Sequence, residues 1–284
     1  MNLEDIIMIE FAKTGSYNKT ISRIKHLRAA IVALATLLLI LFFVLSIPLY
    51  IENDKGVAFA YEGMPVAVSA MLSAFVIVGA VLLYSLVSIP LATSLDIECD
   101  PQKYLELHLA IDSAKRIDAR CMDGYFYLGD FSKSLECAKK VVNSNKEYRL
   151  LIGLFNKARA EFFLDDIDSF KATAKRYKAV LHNTASIVDK SNFMYLRMED
   201  SLDMMTAISD RDKEYISKNY KSLKDWNNSK ADEGFVNYVK GCAARIAEDN
   251  DEAIYRLMAV KDKCEKTVLY SLAQAQLDIL KNNK

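Results

Sequence analysis

Chain breakers are scarce here: nine Gly and four Pro in 284 residues. That scarcity favours long helices and disfavours the glycine-rich loops that cradle phosphates. No Walker loop, G-x-G-x-x-G or G-x-S-x-G occurs. An excess of charge of one sign is also lacking. Basic and acidic residues number 37 each, and 31 each from Asp96 onward. Phosphate binding needs a basic excess, so nucleic acid is not an expected partner. The five cysteines (Cys99, Cys121, Cys137, Cys242, Cys264) are odd in number, widely spaced and without C-x-x-C. This disfavours a disulfide framework or a zinc site of the usual spacing and suits reduced, partly buried thiols. The three histidines, His26, His108 and His182, form no H-x-x-x-H pair. The Asp clusters fail as EF-hand loops. Counting from Asp210, position six is Tyr215 and position twelve Lys221; from Asp166, position twelve is Tyr177. Asp as a helix N-cap accounts for them instead. The expectation is no catalytic residue, no cofactor, no metal and no enzyme.

What is present is sharply segregated. Residues 29–95 are overwhelmingly apolar, and their only charges are Glu52, Asp54, Lys55 and Glu62. Ala29 to Ile51 is 23 residues without a charge, fifteen of them Leu, Ile, Val or Phe. As a helix the run spans roughly 34 Å, enough for a hydrocarbon core of about 30 Å. At roughly 0.3 to 0.6 kcal/mol per such residue, insertion is favourable by several kcal/mol. A second uncharged run extends from Met64 to Leu95, with Pro65 suited to a first helical turn and Pro90 placed to kink or end the helix. The layout predicted is a transmembrane helix at 29–51, an extracytoplasmic loop at 52–63 and a transmembrane helix at 64–92. A cleaved signal peptide is disfavoured because the run is too long and Leu45 to Leu49 lacks a small-x-small site. Within residues 1–28, Leu3, Ile6, Ile7 and Phe11 suit a short interfacial helix broken by Gly15, with a frayed tail as the alternative.

Lys13, Lys19, Arg23, Lys25 and Arg28 precede the first run, whereas the connecting loop holds only Lys55. This imbalance predicts a plasma-membrane protein with its N-terminus and everything beyond Asp96 in the cytoplasm. Ser69/Ser73 and Ala70/Ala74 make small-xxx-small pairs suited to close helix approach. Neither run contains an ionisable residue, which argues against a transporter or channel built from this chain alone.

From Asp100-Pro101, a good helix start, residues 99–284 read as helix after helix. Four segments share an Asp-rich turn followed by an amphipathic helix, beginning at Gly129, Asp165, Asp210 and Asp249, about 36, 45 and 39 residues apart. Each is preceded by another helical stretch. One helical hairpin per unit at such a period predicts an α-solenoid, so the fold class expected is all-α: a two-helix transmembrane hairpin followed by stacked helical hairpins.

The run Tyr125-Phe126-Tyr127-Leu128-Gly129-Asp130-Phe131, with Ser134, Leu135 and Ala138 after it, resembles the middle of a tetratricopeptide repeat. Gly241, Ala244 and Asp249 to Ile254 are similarly placed. The resemblance covers about residues 100–280. It departs from the family at Phe170, where a small residue is usual, in spacing, and in having no Pro after Pro101. It implies a concave groove, lined by the first helix of each hairpin, that binds extended peptides or partner helices. Carried over by turn position, it aims Arg116, Asp123, Arg159, Glu199, Asp203, Tyr238 and Arg245 at that groove. Trp226 is expected to pack between repeats. The function expected is a membrane-anchored scaffold or adaptor, its partners the lipid bilayer and an unidentified protein or peptide. The rivals are a structural subunit assembling through its transmembrane hairpin and an enzyme with an unrecognised site.

Overall fold

The computed structural model describes residues 17–53, 56–61, 63–112, 114–183, 193–225 and 229–282. The interfacial segment expected near the N-terminus and Trp226 lie outside the described residues. The chain forms two units, Ser16–Pro90 and one holding Leu91–Lys284.

In the first unit, α1 (Asn18–Leu45) runs about 42 Å and α2 (Val66–Val87) about 33 Å. Both are long and apolar enough to cross a membrane, and none of the apolar stretch of either is buried by the rest of the chain. Phe43 is 69% exposed and Val66 77%. Helices apolar on all sides suit a lipid surround.

The first helix stops at Leu45, six residues before the expected Ile51. Pro48 explains this: its ring disfavours helical geometry at Ile47, and the helix ends with the Ser46 N–H on the Phe42 and Phe43 carbonyls and the Ile47 N–H on that of Val44. The segment expected as helix end and loop instead holds an antiparallel hairpin, β1 (Leu49–Asn53) paired with β2 (Gly56–Tyr61), with Asn53 opposite Gly56. Leu, Tyr, Ile, Val and Phe favour strands here, and a short apolar run does not by itself distinguish strand from helix. Gly63, at φ +78°, returns the chain so that Met64 N–H donates to the Leu45 carbonyl at 2.7 Å. Pro65 is the residue before α2 rather than within its first turn. Beyond the break at Ser88 the helix resumes as α3 (Ile89–Asp96), with Pro90 in its first turn where no N–H is needed. The Ser69 hydroxyl donates to the Phe42 carbonyl at 3.2 Å, tying α2 to α1. Arg28 donates to Ser88 Oγ at 2.6 Å and lies 4.5 Å over the Tyr84 ring, a cation at the C-terminal end of α2.

The second unit contains α4 (Pro101–Ile111), α5 (Ala114–Leu128), α6 (Phe131–Val141), α7 (Glu147–Phe163), α8 (Ile167–Asn183), α9 (Phe193–Asp210), α10 (Lys213–Asn219, extended by a 3-10 turn to Ser222), α11 (Lys230–Ile246), α12 (Asn250–Lys263) and α13 (Val268–Asn282). Chain neighbours pack together, and alternate helices pack as well: α5 on α7, α7 on α9, α9 on α11, α11 on α13. In addition α13 returns to touch α5.

One turn recurs four times. Gly129, Asp165, Arg211 and Glu248 all adopt positive φ (91°, 60°, 52° and 63°), and each is followed by an Asp. The amide of that Asp reaches back five residues, from Asp130 to the Tyr125 carbonyl, Asp166 to Glu161, Asp212 to Ala207 and Asp249 to Ala244, at 2.9 to 3.0 Å. Its carboxylate then accepts from the backbone N–H three residues on, of Lys133, Ser169, Tyr215 and Glu252. So each turn closes one helix with a left-handed C-cap and opens the next with an Asp N-cap. The left-handed residues are 36, 46 and 37 apart, correcting the spacing read from the Asp runs.

Counting from the left-handed residue gives a common core register. Five residues later stand Ser134, Phe170, Ile216 and Ala253; nine later, Ala138, Ala174, Tyr220 and Leu257; twelve later, Val141, Tyr177, Leu223 and Val260. All twelve are buried. Spacings of four and three keep them on one helix face in α6, α8 and α12, whereas Tyr220 and Leu223 fall in and just after the 3-10 turn that ends α10. Close approach is set by Gly241, where an added Cβ would stand 2.7 Å from Leu257 Cγ. Gly234 leaves room for the sulfur of Cys264 in the same way. All five cysteines are free and buried, and Cys99 Sγ lies 3.8 Å from Cys264 Sγ.

Candidate partner-binding site

The residues aimed at a groove by the repeat resemblance fall into three groups. Asp123, Arg159 and Tyr238 belong to one interior network. Arg159 on α7 is 1% exposed. Its Nη2 donates to Asp123 Oδ1 at 2.8 Å and to the side-chain Oδ1 of Asn156, and its Nη1 donates to Tyr127 Oη at 3.4 Å. The guanidinium lies over Phe126, Phe155 and Phe235, at 4.2, 4.7 and 5.1 Å from the ring centres. Three aromatic faces and three acceptors replace the water it has lost. Burial opposes its charge, but Tyr127, Asp123 and Asp232 outweigh burial and hold it cationic. Tyr127 in turn donates to Asp232 at 2.8 Å, joining α5 to α11. Phe126 packs against Phe163, and Phe163 against Tyr238 at 5.8 Å.

Asp123 keeps 31% of its side chain in reach of solvent although it lies deep among the helices. Burial pushes its carboxyl up to about 6, with Arg159 pulling the other way and Asp232 adding to the rise. Burial also drives the Tyr238 phenol well above its ordinary value.

Glu199 and Asp203 on α9 form a second group, turned to α8. Glu199 pairs with His182 at 2.7 Å, and Asp203 pairs with Lys178. The third group is Arg245, in the last turn of α11, whose Nε is buried without a hydrogen-bond partner among the described residues. The side chain of Arg116 lies outside the described residues. At α5, α7 and α11, then, the space between the helices is filled by this chain's own side chains.

An opening of a different kind lies between α12 and α13. It is a crevice of about 290 Å³ walled by Ile254, Met258, Leu277 and Leu280, with Lys261, Gln274 and Lys281 around it. Ile254, Met258 and Lys261 follow one face of α12; Gln274, Leu277 and Lys281 follow one face of α13. Met258 is 43% exposed. Sequence reasoning missed these residues because α12 carries two apolar stripes. Ala253, Leu257 and Val260 face the core, and the second stripe, Ile254 and Met258, sits one residue further on. That doubled stripe was the available signal.

Comparison with protein-family models, with curated proteins and with solved structures finds no match.

Proposed function

We propose that this chain is a membrane-anchored adaptor whose helical unit holds a protein partner at the cytoplasmic face of the plasma membrane. Two apolar helices supply the anchor, and the surplus of Lys and Arg before the first supplies the orientation. The helical unit is an α-solenoid of tetratricopeptide-like hairpins. The fourfold turn and its shared core register support that reading.

The observation that carries the binding role is the α12–α13 crevice. Its apolar walls suit the anchor side chains of an amphipathic helix from a partner, set four residues apart between Ile254, Met258 and Leu277. Lys261 and Lys281 call for acidic residues flanking those anchors. The pairing of Ser69 with Phe42 uses one small residue of α2 within the chain itself, which weighs against the rival subunit reading.

The test is crosslinking of the full chain in cells, comparing wild type with Met258→Glu and Leu277→Glu. A discrete protein adduct that both substitutions abolish supports the adaptor. An adduct pattern indifferent to both overturns it. Replacing both spans by an unrelated membrane anchor separates the two readings: the adaptor keeps its adduct and the subunit loses it.

A further inference from the structure

A second crevice, of about 390 Å³, opens between α1 and the end of α2, within the membrane unit. Its lining is split. Lys19, Thr20 and Arg23 supply its polar part, and Ile24, Leu27, Leu86, Val87 and Pro90 its apolar part. Lys19, Arg23 and Leu27 recur every four residues and so share one face of α1.

No described residue of this unit forms an ion pair with either cation. Among the described residues of this unit the sole acidic one is Glu52, in β1, at the other end of the helices. Arg28, by contrast, is already engaged with Ser88 and Tyr84. Depth along the helix completes the picture. Ala29 begins the uncharged run, and Arg23 lies six residues before it, about 9 Å along the axis. The headgroup layer on each side of a bilayer is roughly 5 to 8 Å thick. The backbone of Arg23 therefore lies just outside the headgroup layer, within side-chain reach of the phosphates, while Leu27 and Leu86 sit near the hydrocarbon edge; Lys19, one turn further out, faces the same layer from the water side.

We infer that this crevice binds an anionic phospholipid, its phosphate held by Lys19 and Arg23 and the first segment of an acyl chain laid against Leu27 and Leu86. Two neighbouring cations beside an apolar wall at the interface are what a negatively charged, chain-bearing ligand requires. The inference rests on the membrane-anchor reading above.

The test uses the full chain, extracted in detergent with equal phosphatidylglycerol and phosphatidylcholine and weighed intact by native mass spectrometry. The wild type should retain phosphatidylglycerol under conditions that strip phosphatidylcholine. Lys19→Gln with Arg23→Gln should weaken that retention roughly 30-fold, about five-fold for each charge. Lys25→Gln, two residues beyond Arg23 on another face of α1 and outside the crevice, should retain the lipid as wild type does. Equal retention of the two lipids, an unaffected double variant, or an equal loss in Lys25→Gln overturns the inference; so does displacement by inorganic phosphate. Extraction of vesicles in alkaline carbonate separates the two claims. A chain that is released refutes the anchor and the lipid site together, whereas one that stays inserted without lipid preference refutes the lipid site alone.

Discussion

Asp123 on α5 accepts a 2.8 Å hydrogen bond from Arg159 on α7, and the two residues hold the same place in successive hairpins, each six residues before its left-handed turn. The corresponding places further on hold Met205 and Cys242, both buried. One interior position is thus filled in turn by an acid, a base and two sulfur-bearing side chains. The first two neutralise one another and the last two need no partner.

The pair makes stability depend on pH through Asp123. Its carboxyl titrates near 6 in the folded chain against an ordinary 3.8, so the fold favours the protonated form. A raised value means the stabilising contribution is whole below 3.8 and is lost as pH rises to about 6. Asp123→Asn removes this dependence. From pH 4 to pH 7 the variant should gain on wild type by at most about 3 kcal/mol, and roughly half that given the solvent reach of the side chain. Urea unfolding of the full chain in micelles, followed by helical circular dichroism at both pH values, measures it.

Arg159→Ala should be the more damaging half of the pair. It empties a cage of three aromatic rings and strips Asp123 and Tyr127 of their donor. A loss of about 3 to 5 kcal/mol is expected by the same unfolding measurement. Arg159→Met, which refills the volume without charge, should cost clearly less.

The recurring turn predicts opposite effects at two equivalent positions. Arg211 holds φ 52° with a side chain that gains nothing from it, so Arg211→Gly should stabilise by about 0.5 to 1 kcal/mol. Gly129→Ala forces the reverse and should cost about 1 to 2 kcal/mol. Thermal midpoints moving in opposite directions would confirm the shared geometry; midpoints moving together would refute it.

Gly241→Ala should destabilise by about 1 to 3 kcal/mol, because the added carbon meets Leu257 Cγ at 2.7 Å in a fully buried contact. Leu257→Ala alone should also destabilise, by leaving a cavity. The two changes combined should cost less than the sum of the separate losses, a non-additivity that a double-mutant cycle reads directly.

Much of this architecture was legible from local chemistry. Uncharged runs marked α1 and α2, and Asp residues before amphipathic stretches marked the starts of α6, α8, α10 and α12. The β hairpin was not legible, since Leu49 to Ile51 continues an apolar run and only Pro48 announces the break. Nor was the filled interior. Arg159 reads as a groove residue from its turn offset alone. Its burial depends on Phe235 and, through Tyr127, on Asp232, contacts made across more than one hairpin. Local periodicity carries no information about such pairs. The α12–α13 crevice escaped notice for a related reason: an apolar residue beside a core stripe looks like core until the packing is seen.

The adaptor stands or falls with the side of the membrane on which the helical unit lies. The five native cysteines are buried, so Lys175→Cys, on the exposed face of α8, gives a single reactive thiol in the folded chain. Intact cells treated with a membrane-impermeant maleimide should leave that thiol unlabelled, and permeabilised cells should label it fully. Labelling in intact cells would put the helical unit outside and contradict the account.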